Sequence, residues 1–273
     1  MNHEEMISQL RQWVMDTHKE STTIIKGLWH LECIYKPDPH ERKFVYQILV
    51  AQTTAQGSCY YPGSPISKET LISLVGEQYD FTPSPNLALD IALLDSVANA
   101  FPQQAHIESW LSGSSSKKAR ERARIITSEV NRLACTKSHS RRLRICNVGV
   151  VSILIRELLH EGFDISATDM DTSIIGNKLF DSVLVNPSTE TLKQVSESDI
   201  AVVTGMTLAT ETLADIIDTA AKTGTLVVIF AETGSGFSPF FIQRGVACVV
   251  SEPFPFYIFD GITCIRVFRA SFL

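Results

Sequence analysis

Ser198-Asp199-Ile200-Ala201-Val202-Val203-Thr204-Gly205-Met206-Thr207-Leu208-Ala209-Thr210-Glu211-Thr212 changes its periodicity halfway along. Ile200 to Val203 is a short apolar run rich in β-branched side chains, too short for a helix, which predicts a buried strand. After Thr204-Gly205-Met206-Thr207 the pattern turns to helical spacing, with Leu208, Thr212, Leu213, Ile216, Ile217 and Ala220 on one face. Strand, tight turn and helix make half of a βαβ unit. Such units hold ligands at the carboxyl end of the strand, where the helix N-terminus leaves N–H groups free. A plain turn accounts for the same residues, with Gly205 supplying a positive φ and Thr207 capping the helix.

Outward from this stretch the alternation continues in both directions. Leu143 to Gly149, Asp164 to Thr168, Ser182 to Val185, Thr225 to Phe230 and Ala247 to Val250 read as strands, and Cys264 to Phe268 as a last one. Ser152 to His160, Thr189 to Val195 and Pro239 to Arg244 read as helices between them. Repeated βα units predict a doubly wound parallel sheet with helices on both faces, a Rossmann-like α/β fold.

The first part of the chain reads differently. Met6, Ile7, Leu10 and Val14 predict a helix over residues 4 to 18. Thr22 to Tyr35 and Lys43 to Gln52 read as an antiparallel pair parted by the turn Lys36-Pro37-Asp38-Pro39. Gly57 to Pro65 reads as a loop. Leu87 to Ala100 reads as a helix on Leu87, Ile91, Leu94, Val97 and Ala98. Strands followed by helices predict a smaller α+β domain over 1–111. Ser112-Gly113-Ser114-Ser115-Ser116 punctuates the chain and opens a linker over 112–142. That linker carries a basic helix, Lys117 to Leu133, with Ala123, Ile126, Val130 and Leu133 as its apolar stripe. Its Lys117-Lys118 and Arg120, Arg122, Arg124 read as a solvated face. Thr136 to Arg142 then joins the domains, and the Rossmann-like domain runs over 143–273.

With 273 residues the chain can bury a full core, and 44% hydrophobic with 20% charged residues is ordinary globular composition. A net charge of −6 argues against nucleic acid as a partner, because phosphate binding needs a basic face. There is no apolar run of spanning length, which argues against a membrane partner, and Met1-Asn2-His3-Glu4-Glu5-Met6 is unlike a signal peptide. The six cysteines form no C-x-x-C pair, and Cys146, Cys248 and Cys264 fall in strand-like runs as buried thiols. A reduced, cytoplasmic protein is the expectation, with a homo-oligomer left open.

Candidate site residues cluster at the strand ends. Asn147-Val148-Gly149-Val150-Val151-Ser152 sits where a dinucleotide fold carries its glycine-rich turn, with only the middle glycine present. Asp169 follows Gly149 where a ribose-binding carboxylate would lie. Gly149 and Ser152 with Asp169 thus point to NAD or S-adenosylmethionine. Close helix packing at Gly149 and a turn cap at Asp169 explain them equally. Asp169 and Asp171, with Asn177 nearby, also suit a divalent metal. Thr204, Gly205, Met206, Thr207 and Thr210 belong to the central turn. Glu232 and Gly234 belong to the turn after the next strand, Ala231-Glu232-Thr233-Gly234-Ser235-Gly236. No histidine pair at i, i+4 and no G-x-S-x-G motif occurs.

Asp199-Ile200-Ala201-Val202-Val203-Thr204-Gly205-Met206-Thr207-Leu208 followed by Thr212-Leu213, and the segment from Pro239 to Val246 ending Arg244-Gly245-Val246, resemble the putative heavy-metal chelation family. Leu87 to Val97 is similar to that family's Leu-Ala-rich helix near its cleft. The resemblance implies an enolase N-terminal-like first domain ahead of the Rossmann-like one. It also implies a site between them, with Asp95 at a cleft position facing Thr204 to Thr207. The chain departs from the pattern at Thr210 and Asp95, each where the family has asparagine, and at Glu232-Thr233, where it has Gly-Pro.

Two function classes therefore stand at this level. One is binding or handling of a small polar or chelating molecule, with or without a divalent metal. The other is an enzyme with a nucleotide-type cofactor, an S-adenosylmethionine-dependent methyltransferase or an NAD(P)-dependent reductase. A binding module without chemistry is a third, and whether the chain is catalytic stays open. The intact Thr204 to Thr207 turn favours the first class, and the Gly149 with Asp169 pair favours the second.

Overall fold

A computed structural model describes residues 2–18, 23–36, 43–63, 66–137 and 141–271. The stretch that opens the sequence reading sits at its centre. Strand β9 (Ile200–Thr204) runs parallel to both β5 (Arg144–Val148) and β10 (Leu226–Ala231). Its residues 200 to 203 are all buried. Ile200 and Val202 face one apolar core, whereas Ala201 and Val203 face another. A strand covered on both faces needs a continuous apolar run, and that is what Ile200 to Val203 supplies.

Six parallel strands follow the order β8 (Val183–Pro187), β6 (Asp164–Asp169), β5, β9, β10, β11 (Cys248–Ser251). The order reverses between β5 and β9, which makes that crevice the topological switch point. Three antiparallel strands complete a nine-stranded sheet. β12 (Thr263–Arg269) and then β4 (Ile107–Leu111) extend it beyond β11, and β7 (Lys178–Leu179) lies beyond β8. Helices α4 (Ser115–Ala134) and α5 (Ser152–His160) cover one face. The other is covered by α8 (Leu213–Thr223) and α9 (Ser238–Gln243), with α6 (Thr191–Ser196) packed on α8.

The small α+β part contains α1 (His3–Thr17), an antiparallel sheet β1 (Gly27–Tyr35), β2 (Phe44–Gln52) and β3 (Gln56–Tyr61), α2 (Lys68–Leu74) and α3 (Leu87–Ala98). Every residue of α3 except Leu87 is buried. A helix that is apolar almost all round must be enclosed. One side of α3 meets β2 and β3, and another meets the turn after β10. The apolar side chains of α1 and α3 share one cluster with those of β9, α8 and α9. The two parts thus have a common core.

Several local expectations give way. Gln56–Tyr61 is a strand rather than a loop, because Gly57 lets β3 press onto α3; a Cβ there would lie 2.5 Å from Ala92 O. The Lys36 to Pro39 turn and residues 64 and 65 fall partly or wholly outside the described residues, as does part of the segment from Thr136 to Arg142. Strand β4 pairs with β12, so residues 107–111 complete the large sheet instead of ending the first part. The helix expected from Leu208 onward is split into α7 (Met206–Ala209) and α8, with Glu211 between them at φ 62. Gly205 has φ −59, not a positive value. Its requirement is space, since a Cβ would stand 2.5 Å from Thr233 O. Cys146 and Cys248 are buried, while Cys264 is only half-buried. The face of α4 expected in solvent contains buried Lys118 and Arg122.

Candidate functional site

Loops after β5, β9 and β10 converge at the carboxyl edge. A Cβ on Gly149 would lie 2.5 Å from Thr204 Cγ2, and one on Gly205 would lie 3.1 Å from Ala231 Cα. Gly149, Ser152, Thr204, Gly205, Met206, Thr207, Glu232 and Gly234 therefore lie along one edge, as parallel strands require. Thr207 does not cap a helix; its hydroxyl donates to Thr204 O at 2.7 Å from inside α7. Thr210 closes that short helix, its N–H donating to Met206 O at 3.0 Å.

Asp169 turns inward on the chain. Its Oδ2 accepts from Val150 N at 2.8 Å and its Oδ1 from Asp171 N at 2.9 Å. Asp171 in turn accepts from Ser173 N at 2.9 Å and Ser173 Oγ at 2.6 Å. Both carboxylates thus brace turns. The Asp169 and Asp171 charges reach Tyr60, whose hydroxyl pKa is raised by burial and then by these two carboxylates.

Strand β3 crosses this edge. Ser58 Oγ donates to Glu232 O at 3.1 Å and Tyr60 N donates to Thr233 Oγ1 at 2.8 Å. Asp95 points to the third loop rather than to Thr204 to Thr207. It accepts from Gly236 N at 2.7 Å, Ser58 N at 2.9 Å and Ser235 Oγ at 3.4 Å. Burial pushes its pKa up to about 7, with the three donors pulling the other way.

Beside this edge lies a cluster that the sequence reading missed. Arg122 is paired through Nη1 with Glu232 and, at 3.1 Å, with Glu252. Its guanidinium stands 4.0 Å over the ring of Tyr257. Glu252 also accepts from Tyr257 N at 2.7 Å and Thr263 Oγ1 at 2.9 Å. Burial raises its pKa to about 7, opposed by Arg122 and reinforced by Glu232. Lys118, one turn earlier on α4, donates to Phe259 O at 2.6 Å and Gly261 O at 2.9 Å, which pins the loop carrying Tyr257. One signal could have revealed both cations. Lys118 and Arg122 stand eight and four residues before Ile126, in register with the apolar stripe of α4.

Arg122 and Tyr257 border a narrow cleft of only about 20 Å³, whose walls include Phe44, Ser152, Ile153 and Leu154. Those last three are the first turn of α5. No side chain caps this helix, and the N–H groups of 152, 153 and 154 meet no acceptor among the described residues. Free N–H groups at the positive end of a helix favour an anionic group.

The sequence pattern of a family described as putative heavy-metal chelation matches residues 133–251. The match covers 119 of the 273 residues. Two solved structures of that family share the architecture over nearly the whole chain. A protein of unknown function from Pyrococcus horikoshii superposes with TM-score 0.56 at 13% identity, covering 97% of this chain and 99% of that one. Another, from Desulfitobacterium hafniense DCB-2, gives 0.57 at 10% identity, covering 96% and 98%. Both are members of the same family, and at such identity the likeness establishes the fold alone. No curated protein matches the chain.

The family's description raises the question of a metal. Among the described residues no three His, Cys, Asp or Glu side chains gather where they could hold an ion. Burial raises the thiol pKa of Cys59 and Cys248 well above the ordinary value and that of Cys146 to about 12, which disfavours thiolate ligands. The described donor set does not fit a directly bound heavy metal. No described helix is long and apolar enough to cross a membrane.

Proposed function

We propose that this chain binds a small organic acid of the metal-chelating class in the cleft between α4, α5 and the start of β2. In this reading the chelating groups belong to the ligand, and the protein supplies the anion cradle. The observation that carries it is the uncapped first turn of α5 opening onto the same cleft as Arg122. A carboxylate of the ligand accepts from the N–H groups of Ser152 and Ile153 at the positive end of the helix. Only the carboxylate enters the narrow cleft, and the rest of the ligand lies at its mouth beside Phe44. Arg122 is held in place by Glu232 and Glu252, which offset its charge, so the helix N-terminus supplies the attraction for the anion.

The test uses Ser152→Pro. Proline at the first position of a helix fits the extended backbone at Val151 and removes one N–H without breaking the helix. Calorimetric titration with pyridine-2-carboxylate, alone and as its zinc complex, reads binding to each protein. Saturable binding by the wild type, weakened about tenfold in Ser152→Pro with an unchanged melting temperature, supports the reading. Equal binding by both proteins, or none by the wild type to either probe, overturns it.

A further inference from the structure

Glu232 and Glu252 share a single cation. Each is the first residue after a strand, Glu232 after β10 and Glu252 after β11, and these strands run parallel with Ala231 opposite Ser251. The N–H of Glu252 donates to Ala231 O at 2.8 Å, so backbone pairing holds the two carboxylates side by side. Both meet the same nitrogen of Arg122, Nη1. Lys118, one turn earlier on α4, keeps its ammonium on Phe259 O and Gly261 O. With both carboxylates ionised the cluster therefore carries one uncompensated negative charge. Adjacent buried carboxylates resist double ionisation and take up a proton between them.

The other titratable side chains facing the cluster are neutral. β1 brings Cys33 and Tyr35, β2 brings Tyr46, the loop after β11 brings Tyr257, and β12 brings Cys264. Burial raises the pKa of all five, so the exchangeable proton belongs to the carboxylates. The Glu232 side chain is 16% exposed and that of Glu252 only 2%, which makes Glu252 the costlier of the two to ionise. Burial raises its pKa to about 7, against the pull of Arg122 and with the help of Glu232.

Arg122 also lines the cleft that opens onto the first turn of α5. We propose that an anion binding at that turn is accompanied by uptake of a proton from solvent on the Glu232–Glu252 pair. The inference rests on the cleft reading above and adds its regulation by pH. An anion beside Arg122 meets the excess negative charge of the pair and competes with it for the guanidinium. A proton on Glu252 removes that charge. The neutral carboxyl then donates to Glu232, and Arg122 has only Glu232 and the anion to compensate. Proton uptake on binding makes the affinity fall as pH rises through the range in which the free pair loses its proton.

Calorimetric titration of the full chain with pyridine-2-carboxylate at pH 6.5 and pH 8.5 reads the affinity, and titration in HEPES and in Tris at pH 7.5 reads the protons exchanged. The wild type is expected to bind about tenfold more weakly at pH 8.5, the scale of an ordinary coupling between two sites. Its heat should differ between the buffers in the sense of proton uptake by the protein. Glu252→Gln places an amide where the protonated carboxyl would stand. It should bind with equal affinity at both pH values and with heat independent of buffer, and Glu232→Gln provides the same readout should the first variant fail to fold. Wild-type binding with equal affinity at both pH values and buffer-independent heat overturns this proposal and leaves the cleft reading standing. No wild-type binding at either pH overturns both. A pH dependence that survives in the glutamine variants places the proton elsewhere and overturns the proposal too.

Discussion

Asp95 Oδ1 accepts the backbone N–H of Gly236 at 2.7 Å, so a carboxylate on α3 fixes the turn after β10 from across the molecule. The other oxygen takes Ser58 N from β3, which ties both parts of the chain to one buried group. Asp95→Asn keeps the shape but turns one acceptor into a donor facing a backbone N–H. The folded pKa of about 7 lies above the unfolded value near 4, so the folded state retains its proton to higher pH. The contribution of Asp95 to stability is then fully present in acid and is lost as pH rises from about 4 through about 7. Urea denaturation between pH 4 and pH 8 should show the difference, wild type minus Asp95→Asn, declining by a few kcal/mol over that window. A constant difference would contradict the shifted pKa.

Arg122 is the one cation paired with both Glu232 and Glu252 in a buried setting. Arg122→Met leaves both carboxylates without a cation, and breaking a buried pair from one side costs about 3–5 kcal/mol. Adding Glu252→Gln should restore part of that loss. A denaturant titration of the single and double variants measures both steps, and a double variant no more stable than Arg122→Met would show that Glu252 carries no charge there.

Two glycines separate steric from conformational need. Gly205→Ala puts a methyl 2.5 Å from Thr233 O at an ordinary φ of −59, and overpacking of that kind costs about 1–3 kcal/mol. Gly224→Ala meets nothing within 4 Å but sits at φ 74, so only backbone strain of about 1 kcal/mol is expected. Thermal unfolding should rank Gly205→Ala below Gly224→Ala. The Gly205 variant should also disturb binding in the carboxyl-edge cleft, because Glu232 adjoins Thr233.

Lys118 is almost fully buried and holds two carbonyls of the loop between β11 and β12. Lys118→Met keeps the apolar stem and frees Phe259 O and Gly261 O. Limited proteolysis should then cut the 252–262 segment faster than in the wild type, with other cleavage sites unaffected. Uniform acceleration at every site would indicate global destabilisation instead.

A melting curve in the presence and absence of EDTA checks the poor fit of the described donor set to a resident metal. The expected result is no shift in melting temperature. A drop of several degrees would show a structural ion and contradict that reading.

The order of strands and helices after Leu143 was legible because buried parallel strands need unbroken apolar runs and their helices need a 3.6-residue stripe. Ile200 to Val203 and Leu213 to Ala220 carry those signals within a few residues of chain, and the family resemblance rested in part on Asp199 to Leu208. Gly149, Thr204, Gly205 and Glu232 could be grouped for the same reason, since parallel strands bring their carboxyl ends to one edge. Local sequence could not show what lies opposite that edge. Gly57 reads as a loop residue until α3 is packed against β3, and Ile107–Leu111 reads as the end of a domain until β12 pairs with it. Arg122 and Lys118 look like solvated charges because their partners, Glu232, Glu252 and the Phe259 and Gly261 carbonyls, lie 110 to 143 residues away. Periodicity reports which face of an element is buried, whereas the identity of a buried charge's partner is a property of the tertiary fold alone.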